Sequence, residues 1–284
     1  VGSIFHGGSL WRLKDAERLY NWNHKNGDFS TIVATDFSAQ GKWAITADIH
    51  TLVLWDMESG QAQRYWIAPG EILDAKLSPS GQLALLGLSD HTAVVFDIQK
   101  GGVKRTLQHS NRVRSVSYSS DGKYALTGSE DTTAILWDLN SGKKVYTFRH
   151  ENEVQLVALS PNGKLALSVS KYDKAMLWNT TTGREVGVIP IKDEYLKRGE
   201  SLTAAAFDNK GKTLLTGGTN QHVTLWSVKT LSPIQQWKLP KRDRWKPTSA
   251  SVLALSFKEK KGRYVAVASN GFAHQLNKNK TVQK

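Results

Sequence analysis

The chain contains no cysteine. That excludes a disulfide framework, a thiol nucleophile and every zinc or iron–sulfur site built on thiolates, while leaving the redox compartment open. No apolar run approaches the length of about 18 residues that a spanning helix needs. No segment keeps a helical period over three turns. A phosphate-binding loop is missing too: Gly7-Gly8 and Gly217-Gly218 stand at strand ends, without the loop-to-helix context such binding requires. The eight histidines are dispersed and form no paired motif for zinc. Ser117-Tyr118-Ser119-Ser120 are turn residues with no nucleophile elbow around them. These absences point to a non-catalytic protein with no metal and no cofactor. The first residue is Val1, not Met, so the expectation is a native start upstream of it.

What is present is a foldable and basic chain. Of 284 residues, 39% are hydrophobic and 9% aromatic, enough for a substantial core. Lysine and arginine number 38 against 25 acidic residues, a net charge of +13. Such a surplus suits an acidic partner or an anionic surface and says nothing about fold. Two further counts stand out, ten tryptophans and 23 glycines.

The tryptophans mark a repeat. Trp55, Phe96, Trp137 and Trp178 are spaced by 41 residues each, in the settings Leu54-Trp55-Asp56, Val95-Phe96-Asp97, Leu136-Trp137-Asp138 and Leu177-Trp178-Asn179. Trp226 follows after 48, Trp11 precedes Trp55 by 44, and Leu276 is a weak copy 50 residues past Trp226. That makes seven anchors. Eleven residues after the first six stands another apolar residue: Trp22, Trp66, Leu107, Phe148, Ile189 and Trp237. Turns such as Ser78-Pro79-Ser80-Gly81, Ser119-Ser120-Asp121-Gly122 and Ser160-Pro161-Asn162-Gly163 fall between alternating apolar runs, which is hairpin chemistry. Each repeat reads as four antiparallel strands, the third ending at the anchor. One such sheet cannot bury both faces alone, and radial stacking solves that.

With this period and the Trp-Asp ending, nearly the whole chain resembles the WD40 family of β-propellers, of bacterial type. The resemblance implies an all-β, seven-bladed propeller of four-stranded antiparallel sheets, with approximate blades 1–24 (partial), 25–66, 67–109, 110–150, 151–191, 192–239 and 240–284. It also implies a structural brace within a blade, which His109, Thr127, Asp131 and Trp137 match best. His150 occupies the same blade-entry position as His109, with His24 a further candidate. Elsewhere the pattern departs: Tyr172 stands at the turn Asp position with Asp173 one place off, and Asn220 replaces that Asp in the repeat of Trp226.

The ends are unequal. Val1 to Trp11 aligns without a gap on Thr127 to Trp137, so Val1 falls near the end of a second strand and the first blade is incomplete. Counting back, about 25–35 residues would hold its first two strands and an outer strand closing the last blade. The alternative is a six-bladed propeller whose last blade takes its outer strand from Glu17–Trp22, which leaves Ile4 to Trp11 without a place.

The resemblance places partner contacts on one rim, at the starts of innermost strands and the turns after second strands. The strand starts are Thr31 and Val33, Glu71 and Leu73, Arg112 and Arg114, Glu153 and Gln155, Ser201 and Thr203, and Ser251 and Leu253. The turn positions are Ile4, Ala47, Ser89, Glu130, Lys171, Thr219 and Ser269. Arg112 with Arg114 is the expected charged anchor, since arginine is favoured at hot spots; pairing with Glu130 or Glu153 would instead only solvate the rim. Both over-long spacings fall in loops entering a blade. One spans Ile191 to Gly199. The other, Pro240 to Pro247, sets Trp245 among Lys241, Arg242, Arg244 and Lys246. The expectation is a protein–protein interaction scaffold that meets an acidic protein surface, without a transmembrane segment in this chain. The alternatives are a binder of an anionic polymer or nucleic acid through basic loops, and a propeller enzyme with a channel active site. A bacterial cell envelope, with anchorage through a missing N-terminus, is favoured over the cytoplasm.

Overall fold

The computed structural model describes residues 2–3, 7–15, 17–24, 31–171, 174–190, 201–241, 250–258 and 262–278. Among them every regular element is a β-strand. The chain forms two compact units, Val1–Arg149 and His150–Lys284.

The first unit holds four sheets. The first contains β1 (Gly2–Ser3), β2 (Gly7–Arg12) and β3 (Glu17–Trp22); the second β4 (Ala34–Phe37), β5 (Trp43–Ala47), β6 (Thr51–Asp56) and β7 (Ala62–Ile67). The third contains β8 (Ile72–Leu77), β9 (Leu83–Leu88), β10 (Thr92–Asp97) and β11 (Val103–Gln108); the fourth β12 (Val113–Tyr118), β13 (Tyr124–Ser129), β14 (Thr133–Asp138) and β15 (Lys144–Arg149). The second unit holds a sheet of β16 (Val154–Leu159), β17 (Leu165–Ser170), β18 (Ala175–Asn179) and β19 (Glu185–Ile189), and a sheet of β20 (Leu202–Phe207), β21 (Thr213–Gly218), β22 (His222–Ser227) and β23 (Ser232–Lys238). Its last sheet has β24 (Val252–Phe257), β25 (Arg263–Ala268) and β26 (Ala273–Asn277). All pairings are antiparallel between consecutive strands. This is the propeller architecture, six blades and an incomplete first sheet that carries only Gly2–Ser3 of a second strand.

The core lies between neighbouring sheets. Ile45, Leu52 and Leu54 of the second sheet pack on Ile72, Leu86 and Leu88 of the third. Leu85, Val95 and Leu107 of the third pack on Val113, Ile135 and Trp137 of the fourth. In the second unit, Leu215, Leu225 and Trp237 meet Val252, Ala266 and Leu276. Middle strands are buried on both faces, as β13 and β17 show, so they read as continuous apolar runs rather than alternations. Each fully buried leucine or isoleucine contributes about 1.5–3 kcal/mol, so interfaces of this size dominate the stability of a blade pair.

Polar groups lock the stack where packing cannot. Trp22 donates its indole N–H to the Gly60 carbonyl (3.1 Å), Trp66 to Ile98 (2.8 Å) and Trp237 to Asn277 (3.2 Å), each reaching into the following sheet from an outer strand. Arg105 makes the equivalent reach to the Asn140 carbonyl. Inner strands are linked by carboxylates: Asp36 accepts the Leu77 amide (2.8 Å) and Asp74 the Val116 amide (2.9 Å). Those bonds satisfy edge donors that no neighbouring strand pairs.

Two β-bulges recur in the blades. One sits at the anchor, between Leu54 and Trp55, Val95 and Phe96, Leu136 and Trp137, Leu177 and Trp178, and Leu225 and Trp226. The other opens the inner strand, at Ile72/Asp74, Val113/Ser115, Val154/Leu156, Leu202/Ala204 and Val252/Ala254. A bulge leaves one residue unpaired and re-aims its side chain.

The anchor and the second strand are chemically matched. Trp55, Trp137, Trp178 and Trp226 each donate at 2.8 Å to a buried hydroxyl, on Thr46, Thr127, Ser168 and Thr216. Where the anchor is Phe96 or Leu276 the same place holds Leu86 or Ala266, so no hydroxyl is stranded. Thr127→Val should therefore cost about 2–4 kcal/mol in urea unfolding, because two buried groups lose a partner. A cost below about 0.5 kcal/mol would show that the indole bond adds nothing to packing.

Candidate functional site

A buried polar chain is built from His109 in the turn before β12, Thr127 in β13, Asp131 in the next turn and Trp137 in β14. The structure brings these four together. Asp131 is acceptor-only when ionised, so the His109 Nδ1 facing it at 2.9 Å carries the proton. For the neutral ring, Nε2 then accepts from the Thr127 hydroxyl at 2.7 Å, and that oxygen accepts the Trp137 N–H. The order of donation is indole, hydroxyl, imidazole, carboxylate. Burial alone would raise the Asp131 carboxyl; hydrogen bonds from His109, Thr133 and the Ser110 amide overcome it and hold the group well below the ordinary carboxylate range.

The second sheet carries the same chain. His24 Nε2 lies 2.8 Å from Thr46 Oγ1, and its Nδ1 lies 3.3 Å from Asp48 and 2.6 Å from Thr51. Burial pushes the His24 imidazole below its ordinary value, and Asp48 offsets only part of that. In the second unit His150 Nε2 meets Ser168 at 2.7 Å. Tyr172 and Asp173, at the turn of that blade, lie outside the described residues.

Residues 101–138 match the family model described as WD domain, G-beta repeat. They run from the outer strand of one blade through three strands of the next, so the sequence repeat is offset from the structural one. A search of the curated proteins finds no match. With that repeat and these sheets, the chain is a β-propeller that carries a WD repeat.

Five of the rim positions share one geometry, whereas in the second sheet the Val33 amide donates to the Ala47 carbonyl at 2.8 Å. In those five the turn residue donates its amide to the strand-start carbonyl: Ser89 to Glu71, Glu130 to Arg112, Lys171 to Glu153, Thr219 to Ser201 and Ser269 to Ser251, at 2.8–3.0 Å. Two residues on from that carbonyl comes the bulge residue, Leu73, Arg114, Gln155, Thr203 or Leu253. In the first unit Arg114 pairs with Glu130, while exposed Arg112 has no side-chain partner among the described residues. Glu71 accepts from the Ser89 hydroxyl at 3.2 Å. In the second unit Glu153 pairs with Lys171 at 3.7 Å, and Gln155 is half-buried. Such exposed pairs are each worth about 0–1 kcal/mol, which leaves their charges free to re-pair with a partner. Lys241 is exposed; Arg242, Arg244, Trp245, Lys246 and Ile4 lie outside the described residues.

Sequence reasoning passed over an apolar component at this end of the second sheet. Ile67 is 77% exposed at the end of β7, and Ile49 43% in the turn before β6, on the rim that also carries Val33. The sequence signal is two large apolar residues in succession, Trp66 and Ile67, where only the first has a buried slot. Among the described residues no group of three His, Cys, Asp or Glu could hold a metal ion.

The brace of His24 makes stability sensitive to mild acid. A histidine whose folded value is depressed contributes fully above its unfolded value, and loses that contribution as pH falls through and below it. For His24 the loss begins near 6.5, whereas Asp131, held low, keeps its contribution until far more acid pH. Melting temperature should fall between about pH 8 and about pH 5, and the His24→Gln variant should show a shallower fall. Parallel pH profiles for the two proteins would remove His24 as the titrating group.

Proposed function

We propose that the protein is a non-catalytic interaction scaffold whose partner docks on the strand-start rim. The observation that carries this is the recurrent inner-strand bulge, which presents Leu73 and Arg114 in one unit and Gln155, Thr203 and Leu253 in the other. In the first unit these positions accompany exposed Ile49, Ile67 and Val33 and exposed Arg112, whose guanidinium has no side-chain partner among the described residues. An apolar centre beside arginines suits a protein partner with a matching apolar patch and an acidic rim. Net charge of +13 supports an acidic partner and speeds its approach. The basic segment around Lys241 is a second proposed contact, with Trp245 as its aromatic anchor.

A photo-crosslinking residue at position 67, compared with one at Lys123 at the opposite end of a sheet, tests the reading in cells. The expected result is a discrete protein adduct from position 67 only. Combining Ile67→Glu with Arg112→Glu in a purified pair should weaken binding at least about tenfold while leaving melting temperature unchanged. Equal adducts from both positions would sink the rim assignment. A steep loss of binding with salt, together with nuclease-sensitive capture, would favour an anionic polymer instead.

A further inference from the structure

Four non-glycine residues among those described adopt a left-handed backbone: His91 (φ 73°), Thr132 (φ 68°), Gln221 (φ 70°) and Leu231 (φ 51°). An L side chain is strained there, a β-branched one such as threonine most of all. For Leu231 the reason is packing, since its side chain fills the space over Gly187 and joins a core cluster of the second unit. The other three stand in the turn before a blade's third strand. Asp90 accepts the Thr92 amide (3.0 Å) and hydroxyl (2.6 Å), with His91 between them. Asp131 accepts the Thr133 amide (3.0 Å) and hydroxyl (2.6 Å), with Thr132 between. Asn220 accepts the His222 amide at 3.1 Å around Gln221.

The last sheet shows that this turn needs no side chain. Asn270 accepts the Phe272 amide at 3.0 Å around Gly271, whose φ is 85°. A Cβ at Gly271 would meet nothing within 4 Å, so crowding does not impose glycine there. Glycine makes the same turn without strain. In the first unit, then, His91 and Thr132 hold a strained backbone that the fold does not require. Neither side chain has a hydrogen-bond or ionic partner among the described residues; His91 is exposed and Thr132 half-buried. Both belong to rim turns, following Ser89 and Glu130, whose amides donate to the strand starts.

We propose that His91 and Thr132 are specificity-determining contacts that read the backbone of a protein partner, an assignment that rests on the rim as the docking face. A neutral imidazole and a hydroxyl each offer both a donor and an acceptor, as does the carboxamide of Gln221 at the matching turn of the second unit. That combination fits a peptide unit, which presents one N–H and one C=O. The nearby rim residues Glu71, Arg112, Arg114 and Glu130 carry charge and suit side chains instead. The occupant is thus an extended or loop segment whose backbone groups are unpaired before docking. Strain held at a contact fixes the side chain's position before the partner arrives, so less ordering is left for binding.

The test uses peptides selected on the immobilised full chain from a random-peptide phage library. Combining His91→Gly with Thr132→Gly should weaken their binding at least about tenfold and leave the melting temperature unchanged or raised. His91→Ala with Thr132→Ala removes the side chains and keeps the strain, so it should weaken binding equally with no gain in stability. N-methylation of one peptide amide should weaken binding to the wild-type chain and have no further effect on the double glycine variant. Losses that simply add at every amide would overturn the backbone reading, and a melting temperature lowered by the glycine variant would assign the side chains to the fold instead. Sensitivity to Ile67→Glu with Arg112→Glu but not to the glycine variant would overturn this assignment and leave the rim standing. Indifference to both pairs of substitutions, or failure to select any peptide, would overturn the two together.

Discussion

A tryptophan buried inside a sheet brings one N–H that must find an acceptor. Four blades answer with a hydroxyl on the adjacent strand, and three of those blades pass the bond on to an imidazole. The bond is directional, so it fixes more than its own energy of about 1 kcal/mol. It sets the register of second against third strand, orients the histidine, and through the histidine pins the loop that enters the blade. The blade of Phe96 shows the other solution, in which both partners are apolar and packing alone remains.

The same economy governs the interfaces between sheets. Outer-strand tryptophans at 22, 66 and 237 each bury a large ring and spend their polar tip on a carbonyl of the next sheet. Inner strands use Asp36 and Asp74 on backbone amides. Burial raises the Asp36 carboxyl, and the charge of Asp74 first, then that of Asp36, holds Lys76 protonated above its ordinary range. Scaffold rigidity thus rests on a few satisfied polar contacts set into apolar interfaces. The rim above them is free to vary, because a bulge residue there belongs to no ladder.

Much of this was legible in the residues. A 41-residue spacing of Trp55, Phe96, Trp137 and Trp178, with glycine turns between, is enough for strand order and for the third-strand ends. The four members of the His109 brace could be chosen through resemblance. What escaped was pairwise chemistry. That a hydroxyl stands ten residues before Trp137, Trp178 and Trp226, nine before Trp55, and an aliphatic before Phe96 and Leu276, is visible in the sequence once the bond is known. The two arginines expected to form one charged anchor differ in setting: Arg114, at the bulge, pairs with Glu130, while Arg112 has no side-chain partner among the described residues.

By itself, then, the sequence determined the repeat, the all-β class and the phase of every anchor, because periodicity and turn chemistry are local properties of the chain. Tertiary structure alone decided which polar groups meet. Only there do Ile67 and Ile49 emerge as exposed. The physical reason is that exposure and hydrogen-bond satisfaction depend on residues far apart in the chain, 18 from His109 to Thr127 and 40 from Trp237 to Asn277, and no local pattern records them.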